Sequence, residues 1–396
     1  MRRFIYPLLQ DPYRKKDLIS AIKVIKTGQI TIGAHTKKFE SLFAKKIKVN
    51  RSLMVNSGSS ANLLALQCLI NPYRKKRLIS GDQVLIPSVC WSTSLWPIVQ
   101  SGLQPIFVDI DPNTLNIDLN DLKKKITKKT KALMLVHVLG NSTNMDELIK
   151  ILKKKNIILI EDTCESLGSK FKQRYLGTFG DFSTFSFYSS HQISSGEGGM
   201  IACKSKEDYE ILKALRSHGW SRGLIDEKKI SKANKNLDSR FIFYNSGFNL
   251  RPTDIAAAIG ISQFKDMEKL KKLRNKNRDL LVKSLQKSNK ISTNLIFIQS
   301  NKNVFPSWFG IPVLIKKKNI RKKFLIKLEK NGVETRPIIS GNFLKQPSVK
   351  KYNLLSNQRF KNSDIVNEKG FFIGLPTKKI TNSFVNKIVK IFEKSL

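Results

Sequence analysis

The sequence predicts an α/β protein, with a large domain on a mostly parallel mixed sheet and a smaller C-terminal α/β domain. Three observations lead there. Short apolar runs alternate with segments of helical spacing through much of the chain, the pattern of strands joined by crossover helices. From about Ser262 the pattern changes to a long charged helix followed by one further strand and helix. A chain of 396 residues, 40% of them hydrophobic, buries a large core that is expected to split in two. We therefore divide it into residues 1–262, an N-terminal segment with the large domain, and residues 263–396, the small domain.

Taken in order, the strand-like runs are Val84 to Val89, Pro105 to Ile110, Ala132 to Leu139, Ile157 to Ile160 and Phe182 to Phe187. Ala61 to Ile70 and Met145 to Leu152 carry helical spacing between them. An Ala-rich helix is expected over Thr253 to Gly260, and the charged helix over Gln263 to Gln286, with Leu270, Leu273, Leu280 and Leu281 as its apolar positions. Trp308 to Ile315 reads as a strand and Ile320 to Asn331 as the last helix assigned. There is no internal repeat and no low-complexity linker, so the two parts are expected to pack closely.

Lys and Arg number 72 against 30 Asp and Glu, a net charge of +42. Such an excess favours nucleic acid or an anionic membrane surface. The lysines are spread along the chain, however, as in Lys123-Lys124-Lys125 and Lys153-Lys154-Lys155, which suits solvated helix faces. No zinc-finger spacing, RNP-like segment or arginine-rich tail is present, so no nucleic-acid partner is expected; the positive surface would instead attract an anionic substrate. No run is long enough to span a bilayer. The basic opening Met1-Arg2-Arg3 is followed by an apolar run that stops at Pro7, which argues against a secretory signal. Cys68, Cys90, Cys164 and Cys203 lack C-x-x-C spacing and suit free thiols in a cytoplasmic protein with no metal site.

Several segments could carry chemistry, and each has a plain structural alternative. Asn56-Ser57-Gly58-Ser59-Ser60, ahead of a helix, can close backbone N–H groups on a phosphate, or simply cap that helix. Asp162 ends an apolar strand, where α/β folds place ligands, yet it could equally cap a turn. Trp91 follows the strand at 84–89 and could stack on a flat ring or fill the core. Ser186 in a strand is uninformative by itself, and Gly196-Glu197-Gly198-Gly199 reads as a tight turn needing positive φ. Asn249 and Arg251 stand in a loop before a helix and could serve an anion. Arg336 could grip a carboxylate with two parallel hydrogen bonds. His191 lies between a strand and the Gly-rich turn; most lone histidines are structural, but an imidazole there can move protons near neutral pH.

The stretch Phe185-Ser186-Phe187-Tyr188-Ser189-Ser190-His191, followed by Gly196-Glu197-Gly198-Gly199, closely resembles the lysine segment of the sugar aminotransferases that use pyridoxal phosphate (PLP). So do Trp91-Ser92-Thr93, Glu161-Asp162-x-Cys164-Glu165-Ser166, His218-Gly219-Trp220, Asn249-x-Arg251-Pro252 and Arg336-Pro337-Ile338. Together they resemble that superfamily from about residue 5 to the C-terminus, in its branch with histidine in place of the lysine. The resemblance implies PLP fold type I, the aspartate aminotransferase-like fold. It implies PLP or pyridoxamine phosphate (PMP) as cofactor, held by Gly58, Ser59, Trp91, Asp162, Glu165, Ser186 and, across a homodimer, Asn249. It places His218, Arg251 and Arg336 at the substrates. Glu165 falls where most relatives carry Gln near the ring hydroxyl, and a carboxylate there would alter the ring's electronics.

A lysine in that segment makes a covalent imine with PLP, whereas an imidazole makes no stable one and leaves acid–base work to His191. The implied reaction is removal of the C3 hydroxyl from a nucleotide-linked 4-keto-6-deoxyhexose, with L-glutamate as amino donor and GDP-mannose derivatives as the leaning. Two relatives in function compete. One is an aminotransferase-like protein with altered or lost activity. The other is a CDP-hexose 3-dehydrase with an iron–sulfur cluster, which needs thiolates that the chain lacks after His218.

Overall fold

The computed structural model describes residues 4–9, 12–354 and 358–396; Met1-Arg2-Arg3, on which the reading of the chain's opening partly rests, lies outside them. The first strands are β1 (Arg51–Val55), β2 (Gln83–Pro87), β3 (Gln104–Val108), β4 (Thr130–Val136) and β5 (Ile158–Asp162). A small hairpin, β6 (Lys170–Phe171) and β7 (Arg174–Tyr175), precedes β8 (Phe182–Ser186) and β9 (Gly199–Cys203). Seven of these form one sheet in the order β1-β9-β8-β5-β4-β2-β3. From β3 to β8 every pairing is parallel, while β9 is antiparallel to both its neighbours. The sheet is therefore mixed but mostly parallel, as the alternation of strands and helices predicts.

A second, antiparallel sheet is built from β10 (Leu295–Phe297), β12 (Ile311–Ile315), β13 (Thr335–Arg336) and β14 (Gly370–Ile373). Its order is β10-β12-β14-β13, and β11 (Val304–Phe305) joins the β6–β7 hairpin instead. Apolar side chains cluster separately around each main sheet: Leu53, Val84, Ile86, Met134 and Ile160 on the first, Leu281, Ile311, Val313, Phe371 and Phe392 on the second. Division of the chain near residue 262 remains our proposal. Tyr6, for its part, belongs to the second cluster and donates its hydroxyl to Gly374 O at 2.8 Å.

Three local expectations change. The helix expected from Ala61 begins at Gly58, because Ser57 Oγ accepts the Ser60 N–H at 3.0 Å and so ends the loop earlier. The charged helix expected from Gln263 begins at Met267, because the Ala-rich helix runs on to Lys265 (Asp254–Lys265) and the break falls at Asp266, whose carboxylate receives Arg14 at 2.5 Å; the charged helix is Met267–Lys287. The buried residues of the second include Arg274, Asn277, Arg278, Leu281, Val282 and Leu285, while Leu270, Leu273 and Leu280 are only half-buried. The lysine runs at 123–125 and 153–155 fall in the last turns of helices, where cations meet the negative end of the helix dipole. Among the described residues no helix is long and apolar enough to cross a membrane, and no His/Cys/Asp/Glu group could hold a metal ion.

Candidate active site

Parallel strands bring their carboxyl ends to one edge, and ligands of α/β sheets bind in the crevice there. β5 ends at Asp162 and β8 at Ser186 on this edge. β1 points the same way, because Val55 and Ser186 both face Gly199 of the intervening antiparallel strand. The turn after β1 and the start of the helix Gly58–Leu69 thus meet the ends of β5 and β8. The fit is tight: a Cβ on Gly58 would lie 2.6 Å from Ser186 Cβ and 2.9 Å from Cys164 Sγ. On Gly199 it would lie 2.4 Å from the carbonyl carbon of Ser57.

A cleft of about 710 Å³ opens at this junction. Of the residues expected at the cofactor, Gly58, Ser59, Trp91, Asp162, Glu165 and Ser186 line it, together with His191 and Arg336. His218, Asn249 and Arg251 do not; Asn249 is exposed and its Oδ1 accepts Arg251 Nε at 3.0 Å. No lysine is among the lining residues.

Asp162 is 4% exposed and held from two sides. Its Oδ2 accepts Asn62 Nδ2 at 2.9 Å and Ser94 Oγ at 2.8 Å, and its Oδ1 accepts the Cys164 N–H at 3.2 Å. Neither expected alternative excludes the other, since the residue caps its own turn and still lines the cleft. The neighbouring Glu161 points to the opposite face of the sheet, where it accepts N–H groups of Gly177, Phe179 and Gly180 at 2.7–2.8 Å. It also meets His137 Nε2 at 3.0 Å, and although burial opposes it, the bond and charge of His137 hold this carboxyl below the usual range.

At the head of the helix, Ala61 N–H makes the first helical bond, to Ser57 O at 3.1 Å, and Ser57 Oγ takes the Ser60 N–H. By helix geometry the N–H groups of Gly58 and Ser59 have no acceptor within the helix. Beside them stand Ser59 Oγ, 2.9 Å from Thr93 Oγ1, and Ser186 Oγ, which accepts the Tyr188 N–H at 3.3 Å. Trp91, 58% exposed, presents its indole to the cleft rather than to the core.

His191 follows β8 in a turn closed by its own N–H to Tyr188 O at 3.0 Å, and Gly196 has φ +88°, as the Gly-rich run requires. The imidazole packs against Phe309, ring centroids 5.2 Å apart, and its Nδ1 is buried with no hydrogen-bond partner. Burial pushes its pKa down to about 4, against the backbone of Cys164 and the charge of Asp162, which favour the protonated ring. Glu165 behaves oppositely: burial and the charge of Asp162 push its carboxyl up to about 7, although it accepts the Leu139 N–H at 2.9 Å. On the far side, Arg336 Nη2 pairs with Glu334 Oε1 at 2.9 Å, and Glu334 Oε2 also accepts the Leu8 N–H at 2.9 Å.

The residues present fit a phosphorylated pyridine cofactor. A glycine-lined helix start with free N–H groups and serine hydroxyls suits a phosphate. A fixed carboxylate suits a ring nitrogen, and the His191 imidazole lines the same cleft. Sequence reasoning missed Asn62, Ser94 and Phe309. Asn62, one helical turn after Gly58, could have been found from its spacing, whereas nothing near Phe309 in the sequence connects it to His191.

An α/β fold with such a crevice defines the class of PLP-dependent enzymes with the aminotransferase fold. Within it, residues 13–393 match the model of the DegT/DnrJ/EryC1/StrS aminotransferase family, and the chain belongs to that family. It is 38% identical over 374 residues to GDP-4-keto-6-deoxy-D-mannose 3-dehydratase of Escherichia coli O55:H7, covering 93% of this chain and 95% of that protein. The solved structure of the E. coli GDP-4-keto-6-deoxy-D-mannose 3-dehydratase with bound hydrated PLP superposes with a TM-score of 0.91 at 36% identity, over 99% of this chain and all of the other. A further structure of GDP-4-keto-6-deoxymannose-3-dehydratase, which traps a PLP–glutamate geminal diamine, matches at TM-score 0.90 and 36% identity, over 98% of this chain and all of the other.

Proposed function

We propose that the chain is a PLP- and PMP-dependent 3-dehydratase that removes the C3 hydroxyl of GDP-4-keto-6-deoxy-D-mannose, with L-glutamate as amino donor. The observation that carries this reading is His191, a half-buried imidazole in a cleft that no lysine lines among the described residues. The likeness to dehydratases over nearly the whole chain supports it. In dideoxysugar formation for O-antigen, such a step turns a 4-keto-6-deoxy sugar into its 3,6-dideoxy form.

When bound, PLP would supply an aldehyde that can carry glutamate's amino group and an electron-accepting ring for loss of the C3 oxygen. The chain's own residues do the rest. Asp162, fixed by Asn62 and Ser94, holds the ring nitrogen protonated. Gly58 and Ser59 N–H groups, with the hydroxyls of Ser59 and Ser186, receive the phosphate, and Trp91 covers a ring face. Glu165, whose carboxyl is raised to about 7 and so is about half protonated near neutral pH, could donate a hydrogen bond toward the ring hydroxyl. His191 in its neutral form would be the group to take a proton at the cofactor's C4′ carbon and, once charged, to give a proton to the departing C3 hydroxyl. Arg336 must exchange Glu334 for a substrate carboxylate, and glutamate provides one.

His218, Asn249 and Arg251 lie outside the cleft of their own subunit, which supports assignment of all three to a second subunit's site in a homodimer. Asn249 would then reach the phosphate, and His218 and Arg251 the nucleotide sugar. Mixing His191→Asn and Asn249→Ala subunits tests this: shared sites restore activity in mixed dimers, and separate sites do not. Four free cysteines support a reducing, cytoplasmic setting.

The decisive experiment incubates the protein with PLP, L-glutamate and GDP-4-keto-6-deoxymannose. Loss of one oxygen from the sugar, with release of ammonia and 2-oxoglutarate, supports the dehydratase. Gain of an amino group on the sugar supports a transaminase and overturns the reading.

A further inference from the structure

Arg274 presents a physical problem. It is 5% exposed, yet among the described residues no carboxylate lies within ion-pair distance of it. Its Nη2 donates to Phe309 O at 2.5 Å, and its Nε is buried without a partner. A buried cation so poorly compensated is expensive, and an apolar residue of similar volume would remove the expense. Burial alone pushes its pKa down to about 10, with Tyr6 the one group opposing that shift.

What the guanidinium touches gives it a role. Residues 306–309 form an arch held by hydrogen bonds from several parts of the chain. Asn275 Nδ2 donates to Pro306 O at 2.8 Å and Gln192 Nε2 to Ser307 O at 3.1 Å. The Ser307 N–H goes to Ser169 Oγ at 2.8 Å, and the Phe309 N–H to Leu139 O at 3.1 Å. Arg274 secures the last carbonyl of this arch. The Phe309 ring then packs on His191 at 5.2 Å and on Phe372 at 5.8 Å. Arg274 itself does not line the cleft, so it acts on the imidazole through the arch and through its charge.

We propose that Arg274 is a positioning residue for His191: it fixes the Phe309 arch on which the imidazole rests, and it sets a charge behind that arch. This deepens the dehydratase reading and rests on His191 being the base. The groups facing the imidazole pull in opposite directions. From β5 and the turn after it, Asp162 and the Cys164 backbone favour the charged ring, and the buried Glu165 carboxyl lies nearby. From the helix Met267–Lys287, Arg274 opposes them. Tyr188 is on the same turn as His191, and Glu197, Glu334 and Arg336 line the same cleft. With Asp162 reserved for the cofactor, a cation behind the ring offsets its pull on His191. It also makes the imidazolium, once formed, a stronger acid toward the departing hydroxyl.

The test reads the histidines directly in the unliganded chain. There are only four, His35, His137, His191 and His218, so ring-labelled NMR resolves them, and His191→Asn assigns the signal. In Arg274→Gln the His191 midpoint rises by about half a pH unit, threefold in proton affinity; in Arg274→Lys, which keeps the charge, it stays within about a tenth of a unit of wild type. An unchanged midpoint in folded Arg274→Gln overturns the proposal. Phe309→Leu gives an independent reading should Arg274→Gln not fold. With Arg274 intact the His191 midpoint stays below the ordinary value while the ring's tautomer signals change. Return of that midpoint to the ordinary value would assign the effect to the phenyl ring and sink the role of the cation. None of these readouts depends on the substrate, so a failed dehydratase assay with the expected midpoints would count against the function alone.

Discussion

The two walls of the cleft are made in different ways. One wall is local: β1, β5 and β8 deliver Ser57 to Ser59, Asp162 and Ser186 through strand ends and the turns after them, and His191 follows within a few residues. The other is assembled from distant parts, with Phe309 from an arch ahead of β12, Arg336 from β13 and Phe372 from β14. The local wall presents hydrogen-bonding groups at fixed spacing, suited to a cofactor that stays. The distal wall presents an arginine already paired with Glu334, suited to ligands that come and go. Substitutions on the two walls should therefore fail in different ways.

The largest effect is expected at His191. His191→Asn should lower dehydration by about 10²–10⁴-fold, the usual worth of a general acid–base group, while PLP still binds. Turnover followed by ammonia release, beside cofactor absorbance, separates the two; equal loss of both would mean that the residue holds the cofactor rather than acting on it. Glu165 should write a pH dependence into stability. Its carboxyl is raised from 4.5 to about 7 in the folded chain, so the folded state holds a proton that the unfolded state releases. Stability credited to this group is present below about pH 4.5 and declines by up to about 1.4 kcal/mol per pH unit as pH climbs toward 7. Denaturant melts of the unliganded protein should show that decline in wild type and a flatter curve in Glu165→Gln.

Asp162→Asn should weaken PLP binding by about 10–100-fold, the value of one charge-assisted bond, with the affinity for glutamate of the loaded enzyme little changed. Arg336→Ala should show the converse, raising the KM for glutamate about tenfold while leaving PLP titrations as they were. If Arg336→Ala disturbed PLP as strongly as Asp162→Asn does, the contrast between the walls would not hold.

The same contrast governs what could be read from sequence. Strands β2 to β5 and β8 lie within the apolar runs or overlap them, because buried parallel strands are continuous stretches of Val, Ile, Leu and Phe. β9 escaped because Gly199–Cys203 directly follows a Gly-rich turn, and only its pairing with β1 and β8 makes it a strand. On the local wall Asp162, Ser186 and His191 were legible, since a strand end or a turn places a side chain by itself. Where the helix Gly58–Leu69 begins was not, because Ser57, Ser59 and Ser60 are equally good caps until a hydrogen bond chooses one. The helix Met267–Lys287 misled for another reason. Leucines set its apparent apolar stripe, yet Arg274 and Arg278 are among its buried residues, because the carbonyls of Phe309 and Ile298 were there to receive them. Tertiary acceptors of that kind leave no trace in spacing.

Adjacent acids at the end of β5 carry one last consequence. Neighbours along a strand face opposite ways, so a slip of one position would exchange Glu161 for Asp162 in the crevice. Glu161 blocks that exchange, because three peptide N–H groups and His137 leave it no freedom to turn round. The carboxylate turned away from the crevice thus selects the one that lines it, and loosening it should disturb the cleft from the back of the sheet.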